Sequence, residues 1–138
     1  MFSSYIGNKV VPVTGVNIPT QTRPANKKDS LANKMPAPIP ALFYVATKDI
    51  KTGAVYLKVV NATGKSQPVD IDLKGVGNLS ADGTLVVIKG DKPEDTNTIN
   101  DPEKIVPVTS KIKGISKAFT RTFDPYSVSI LKLQTVNK

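Results

Sequence analysis

From residue 41 to the C-terminus, apolar residues occur in short runs of strand length, and turn residues separate these runs. None of the runs repeats with the 3.6-residue period of an amphipathic helix, and no helical segment lies between them. Short strands at turn-bounded spacing, without intervening helices, are typical of antiparallel sheets packed face to face. The sequence therefore predicts an all-β fold, an antiparallel β-sandwich.

The individual runs predict how each strand sits in its sheet. Residues 41–47 are apolar on both faces, as in a central strand, and Gly53 in the next turn suits a positive φ, which makes 54–60 the expected hairpin partner. Residues 69–74 alternate between apolar and charged side chains, which predicts one buried and one exposed face. Pro107 lacks an amide proton and predicts an edge strand or a bulge. Further strands are predicted over 84–88, 105–109, 118–123 and 126–133, with a turn over 80–83.

The chain divides into two unequal parts within one domain. Residues 1–40 hold a single short strand-like run over 9–13, and residues 15–40 are irregular and rich in proline. Each proline removes a backbone donor and biases the preceding residue toward extended geometry. We therefore predict a long Pro-rich loop with at most one helical turn, over 29–34, followed by the sandwich core in residues 41–138. A loop of this length usually lies against another surface.

The formal charge is +8, from 19 Lys plus Arg and 11 Asp plus Glu, yet its distribution does not favour nucleic-acid binding. The lysines are scattered, only Lys27-Lys28 are adjacent, and Arg23 and Arg121 are the only arginines. Sequence-specific DNA binding favours bidentate arginines, and single-strand binding interleaves aromatic and basic residues. This distribution of charge predicts no nucleic-acid partner. No membrane partner is predicted either, because no apolar run approaches the roughly 20 residues of a membrane helix. A polyanion-binding domain remains an alternative.

The composition also limits the chemistry open to this chain. It contains no His and no Cys, which excludes a Ser–His–Asp triad, a thiol nucleophile and a zinc–thiolate site. Its two glutamates, Glu94 and Glu103, both lie in the polar segment before Pro107, and Asp70 and Asp72 alternate with apolar residues as solvent-facing acids. We predict no catalytic residue. A cysteine-free domain works in the cytosol and the periplasm alike, and the first seven residues lack the features of a signal peptide.

Four acidic residues gather in one segment and raise the question of a cation site. Hard cations such as calcium prefer carboxylate oxygens, but the spacing matches no EF-hand and nearby lysines dilute the negative field. We predict no metal and no other cofactor, with a calcium site in this loop as the alternative. The acids are Asp91, Glu94, Asp95 and Asp101.

The aromatic residues bear on sugar binding and on contacts with other domains. Sugar binding usually needs exposed flat rings, and the chain has no Trp, while its strand-borne Phe and Tyr residues, Phe43 among them, are predicted to pack. Among the tyrosines, Tyr5 alone lies in a plainly irregular segment. Arg121 shares a strand face with Phe119 and Phe123, so its stem either covers these rings or reaches another domain. Tyr5 and Arg121 are therefore the candidate interdomain contacts.

The order of segments resembles the C-terminal domain of family-51 α-L-arabinofuranosidases. Residues 2–13 are similar to the stretch that leaves the catalytic barrel in that family. Residues 41–49 and 55–61 resemble the first long hairpin of its C-terminal domain, residues 100–108 its Asn-x-x-x-Pro-x-x-Val-x-Pro signature, and residues 123–131 its closing strand. One departure is Asn8, where that family often has Asp.

The resemblance implies a jelly-roll-like C-terminal β-sandwich from an enzyme that releases terminal α-L-arabinofuranosyl residues from arabinan or arabinoxylan. The catalytic glutamates of the family lie on a (β/α)₈ barrel, and no position here matches them. The implied partners are that barrel, in the same polypeptide, and other subunits of a homo-oligomer. The implied parent is periplasmic or secreted, with a cytoplasmic location left open. A carbohydrate-binding module that anchors an enzyme on plant polysaccharide is the alternative.

Overall fold

A computed structural model describes residues 5–21, 38–92 and 94–136. These residues form ten strands and no helix, which confirms the all-β prediction. No helix in the described ranges is long and apolar enough to cross a membrane. The strands are β1 (Lys9–Val11), β2 (Thr20–Gln21), β3 (Ile39–Pro40), β4 (Leu42–Lys48), β5 (Ala54–Asn61), β6 (Gln67–Asp72), β7 (Leu79–Lys89), β8 (Val108–Ile112), β9 (Ala118–Phe123) and β10 (Ser127–Thr135).

The described strands form one large antiparallel sheet and two small ones. The six-stranded sheet has the order β1-β4-β5-β10-β7-β8, and β6 pairs with β9, and β2 with β3. The last strand, β10, lies between β5 and β7 and pairs with both over most of its length. Ile71 of β6 and Phe123 of β9 pack into one apolar cluster with side chains of the six-stranded sheet, so the arrangement is a sandwich.

The core between the sheets comes from alternate residues of each strand. Leu57, Leu131 and Leu85 stand opposite one another across β5, β10 and β7 and are all buried. The cluster consists of Leu42, Ala46, Val55, Leu57, Val59, Ile71, Leu85, Ile112, Ile115, Phe123, Leu131 and Leu133. Period-two alternation places these side chains on the inner face, which points toward β6 and β9. The opposite side of the six-stranded sheet is called the outer face below.

The prediction that residues 41–47 form a central strand is wrong, as the exposure of residues on the outer face shows. β5 and β10 are the strands buried on both faces, since outer-face Tyr56 and Ile130 are buried as well as their inner-face neighbours. β4 is second from the edge, and its outer-face residues Phe43 and Val45 are 47% and 43% exposed. The reason is that its neighbour on that side, β1, pairs with it over only three residues.

Several local predictions are confirmed, and others shift. β4 and β5 form the expected hairpin, and Gly53 in its turn has a φ of +74°. β6 exposes Asp70 and Asp72, as the alternation predicts. Pro107 directly precedes β8, which is an edge strand, and this position accounts for the proline. The strand predicted over 105–109 instead runs from Val108 to Ile112. The predicted turn at 80–83 is wrong, because these residues lie inside β7. Gly83 pairs with both β8 and β10, Leu79 pairs with Thr135 of β10, and the register to β10 shifts between these two pairs.

The N-terminal part is attached to the sandwich at a few points. β1 pairs with β4, Ile18 packs against the core, and the Ala41 amide donates to the Pro19 carbonyl at 2.7 Å. The predicted Pro-rich loop and its helical turn fall largely on residues 22–37, which lie outside the described residues.

Candidate interdomain surface

Tyr5 lies over the β4–β5 hairpin on the outer face. Its ring meets the ring of Tyr56 edge to face, with centroids 6.2 Å apart and planes at 68°. The next residues fasten the same segment, since the Gly7 amide donates to Thr47 Oγ1 at 3.2 Å and Asn8 Oδ1 accepts from the Ile50 amide at 3.0 Å. Tyr5 is therefore half-buried within this domain rather than projecting freely from it.

An exposed apolar margin lies on the outer face, at the edge of the six-stranded sheet that β1 and β4 form. It consists of Phe43, Val45 and Val10, of which Val10 is 70% exposed. The register places Phe43 beside Val60 and Val60 beside Val128, so the margin continues into half-buried apolar residues. Phe43, expected in the core, is instead one of the larger exposed apolar groups. Exposed apolar residues that adjoin one another mark contact surfaces more often than isolated ones do.

Arg121 lies in the other layer of the sandwich. It stands opposite Val69 in the β6–β9 pair, on the face that carries Phe119 and Phe123, as the alternation predicts. It is half-buried, and its guanidinium makes no hydrogen bond or ion pair with the described residues. The structure thus places Tyr5 and Arg121 on different sheets and does not bring them together.

A groove lies on the inner face at the edge that β7 and β8 form, and it was not predicted from the sequence. It measures about 390 Å³, and Lys89 Nζ bonds Asp124 Oδ2 at 3.0 Å on its rim. Its lining residues are Leu85, Val87, Lys89, Lys104, Val106, Val108, Ser110 and Asp124. These residues come from three separate parts of the chain, so no local motif signals the groove. Its described lining contains no aromatic ring on which a sugar could stack.

The acidic loop that raised the calcium question is held by one carboxylate, Asp95. Its Oδ2 accepts hydrogen bonds from the amides of Asp91 and Lys92 at 2.7 and 2.9 Å, and its Oδ1 lies 2.9 Å from Lys104 Nζ. The Lys104 ammonium, with these amides, lowers the pKa of Asp95 to about 2. Both carboxylate oxygens of Asp95 are thus used in contacts within the loop. In the described ranges, no three acidic groups come together as a metal site would require.

These contacts predict an acid-sensitive loop. The folded pKa of Asp95 lies below its ordinary value of 3.8, so its stabilising contribution is present above that value and is lost as the pH falls through about 2. We expect the amide shift of Lys92 to titrate in NMR spectra with a midpoint near pH 2. Asp95→Asn should abolish this titration, and a midpoint near 3.8 in the unsubstituted chain would contradict the assignment.

Asn61 begins Asn61-Ala62-Thr63, which formally matches the Asn-x-Ser/Thr acceptor sequence for N-glycosylation, but its side chain is a polar centre of the fold. Its side chain is buried, and Nδ2 donates to the carbonyls of Lys65, Phe123 and Asp124 at 2.8, 3.2 and 2.9 Å. Its Oδ1 accepts from the amide and the hydroxyl of Thr63 at 3.0 and 2.8 Å. This nitrogen is therefore unavailable for a glycan in the folded domain.

Comparisons with known proteins point to one family. The family described as Alpha-L-arabinofuranosidase C-terminal domain matches residues 1–127. The extracellular exo-α-L-arabinofuranosidase of Streptomyces chartreusis is 34% identical over 90 residues, which make up 65% of this chain and 10% of that protein. An arabinose-bound GH51 α-L-arabinofuranosidase has a TM-score of 0.63 and 31% identity, with 70% of this chain and 15% of that one covered.

The GH51 α-L-arabinofuranosidase of Thermotoga petrophila RKU-1 is similar as well. It superposes with a TM-score of 0.60 and 25% identity, over 72% of this chain and 21% of its own. The chain therefore spans between a tenth and about a fifth of the length of these relatives.

Proposed function

Because the chain belongs to the α-L-arabinofuranosidase C-terminal domain family, we propose that it is the non-catalytic β-sandwich of a GH51 enzyme and stabilises a catalytic (β/α)₈ barrel in the same polypeptide. The parent enzyme would release terminal α-L-arabinofuranosyl residues from arabinan or arabinoxylan. The observation that carries the stabilising role is the exposed apolar margin of Phe43, Val45 and Val10 beside the Tyr5 segment.

The absence of catalysis in this domain is supported by what its acids do. Hydrolysis of a glycosidic bond ordinarily needs two carboxyl groups that face each other across the sugar. Asp95 is bonded to Lys104, Asp70 accepts from the Thr120 hydroxyl at 2.6 Å, and Asp124 is paired with Lys89. These carboxylates are engaged in local contacts on separate elements, and Asp124 is the one acid in the described lining of the groove.

Assay of the 138-residue chain on a chromogenic α-L-arabinofuranoside tests the non-catalytic role. We expect no release of chromophore above the buffer rate at any pH from 4 to 8, since the described groove lining holds one carboxylate rather than the facing pair that hydrolysis needs. The control is a complete GH51 enzyme at equal molarity. Turnover that copurifies with the chain through two separate columns would overturn the proposal.

The stabilising role is tested in the parent enzyme. Phe43→Asp places a charge on the apolar margin and should weaken interdomain packing by about 1–3 kcal/mol, which lowers the thermal midpoint of the barrel. Ile99→Asp is the matched control, because Ile99 is fully exposed in a loop. Equal effects of the two substitutions, or none from Phe43→Asp, would contradict packing through this margin.

One observation could favour the alternative of a carbohydrate-binding module, namely the partial exposure of the Phe43 and Tyr44 rings. These neighbours in β4 point to opposite faces of the sheet, so their rings cannot form one platform under a sugar chain. Affinity electrophoresis through arabinan or arabinoxylan distinguishes the two functions. We expect no retardation of the 138-residue chain, and retardation would favour the binding module.

A further inference from the structure

Two lysines stand directly opposite each other where β1 joins the six-stranded sheet. The register pairs Lys9 of β1 with Lys48 of β4, and both side chains lie on the inner face, the face of the neighbouring core residue Ala46. Like charges directly opposite one another in an antiparallel pair are destabilising, because their Cβ atoms lie only about 4.5–5.5 Å apart. The pair therefore opposes the docking of β1 rather than supporting it.

No acid among the described residues relieves this repulsion. Neither ammonium group of the pair makes an ion pair or a hydrogen bond with the described residues. The adjacent carboxylate, Asp49, accepts instead from the amides of Lys51 and Thr52 at 2.9 and 3.4 Å. Lys9 is exposed and Lys48 is half-buried, so both can reach an added group. An anion between them would accept charge-assisted hydrogen bonds from two ammonium groups at once.

The segment that precedes β1, residues 5–8, is fastened to the same hairpin. A Cβ atom at Gly7 would lie 2.6 to 2.8 Å from backbone atoms of Lys48, so only glycine allows the segment to lie this close. The Gly7 amide and the Asn8 side chain bond to the hairpin, and the Tyr5 ring packs on it edge to face. The polypeptide N-terminal to Tyr5 therefore begins beside the lysine pair and can leave it only by breaking these contacts.

We propose that Lys9 and Lys48 bind a carboxylate of the barrel that precedes this domain in the parent polypeptide. This inference rests on the proposed function, and the fastened segment selects the occupant, because it holds the preceding polypeptide beside the pair. β1 is the last strand on this side of the six-stranded sheet. A body along its edge meets the apolar margin on the outer face and the two long lysine side chains on the inner face. The margin supplies packing, and the lysine pair supplies charge complementarity, which orients the contact.

Charge reversal at Lys9 tests the pair, because the isolated chain and the parent enzyme should respond in opposite directions. In the 138-residue chain, Lys9→Glu turns the like-charge pair into an ion pair and should raise the thermal midpoint by about 1–4 °C. In the parent enzyme it sets two carboxylates against each other and should lower the thermal midpoint of the barrel by about 2–5 °C at low salt. Lys48→Glu should repeat both results, and circular dichroism monitors the fold of each variant.

Lys111→Glu is the matched control. Lys111 is exposed on β8, at the opposite edge of the sheet, and its substitution changes the net charge equally. It should change the two midpoints alike, by less than about 2 °C. Salt at about 0.5 M should at least halve the loss that Lys9→Glu causes in the parent enzyme, because salt screens exposed charges. Midpoints that move in the same direction in both proteins, or a loss that salt does not reduce, overturn the proposal.

Two further comparisons separate the proposal from its rivals. If sodium sulfate stabilises the 138-residue chain more than sodium chloride of equal ionic strength, and Lys9→Glu abolishes that difference, the pair holds a dissolved anion and the proposal is wrong. The Phe43→Asp enzyme separates this failure from that of the proposed function. A loss with Phe43→Asp and none with Lys9→Glu rejects the lysine contact alone, whereas no loss with either rejects packing of the barrel against this side of the domain.

Discussion

Asn61→Asp should lower the free energy of unfolding by about 3–5 kcal/mol, a large share of the 5–15 kcal/mol typical of a domain. The two amide protons of Asn61 are shared among the carbonyls of Lys65, Phe123 and Asp124. A carboxylate has no proton to donate to them and brings a buried negative charge against three oxygens. We therefore expect the turn after β5 and the turn after β9 to separate, with a fall in thermal midpoint of about 10–20 °C.

The pH dependence of this variant identifies the cause. Burial among carbonyls raises the pKa of the introduced carboxyl above its unfolded value, so the protonated form is favoured in the folded state. The variant should recover part of its stability as the pH falls through that raised pKa, and the unsubstituted chain should show no such gain. Urea denaturation at pH 7 and pH 4.5 measures both.

Asn78→Asp is the matched control, because it makes the same change in the other Asn-x-Ser/Thr sequence. Asn78 is exposed, and in the described structure it offers its backbone carbonyl, which accepts from the Val136 amide, rather than its side chain. Its substitution should cost less than about 0.5 kcal/mol. Similar losses at both positions would show that the side-chain contacts of Asn61 contribute little.

Phe123→Ala should lower the free energy of unfolding by a similar amount, about 3–5 kcal/mol. Phe123 is 2% exposed and is the one side chain of β9 that belongs to the buried core cluster. The truncation removes the transfer free energy of the ring and leaves a cavity between two layers that hydrogen-bonded pairing does not join. Denaturant titration followed by far-ultraviolet circular dichroism gives the loss directly.

Phe43→Ala makes the same chemical change on the outer face and serves as the reference. Because Phe43 is about half exposed, the isolated chain should lose less than about 1.5 kcal/mol. A loss at Phe43 as large as that at Phe123 would contradict the assignment of inner and outer faces. In a parent enzyme the difference between the two losses of unfolding free energy should be smaller, since the proposed barrel contact covers Phe43.

The elements that sequence reasoning placed well are those in which a local pattern decides the structure. The β4–β5 hairpin follows from two apolar runs joined by a turn with Gly53, and the exposure of Asp70 and Asp72 follows from strict alternation in β6. The family was also accessible from the order of short segments along the chain. Each of these inferences depends on residues close to one another in the sequence.

The candidate contacts were predicted less completely. Arg121 and Tyr5 could be identified as unusual, but the ring contact between Tyr5 and Tyr56 and the separation of the two candidates onto different sheets could not. Phe43 looked like a core residue because its strand is apolar throughout. Its exposure depends on the shortness of the neighbouring strand, and no property of residues 41–47 reports that.

The amino-acid sequence by itself determined the all-β class, most strand positions and the absence of histidine and cysteine chemistry, because periodicity, turn propensity and composition are local properties. Only the tertiary structure decided which strands are central, where the groove lies and that Asn61 is a buried polar centre. The last strand inserts between β5 and β7, and Asn61 bonds a carbonyl 62 residues away. Burial and hydrogen bonding depend on which distant segments the chain brings together, and that pairing is a property of the whole fold.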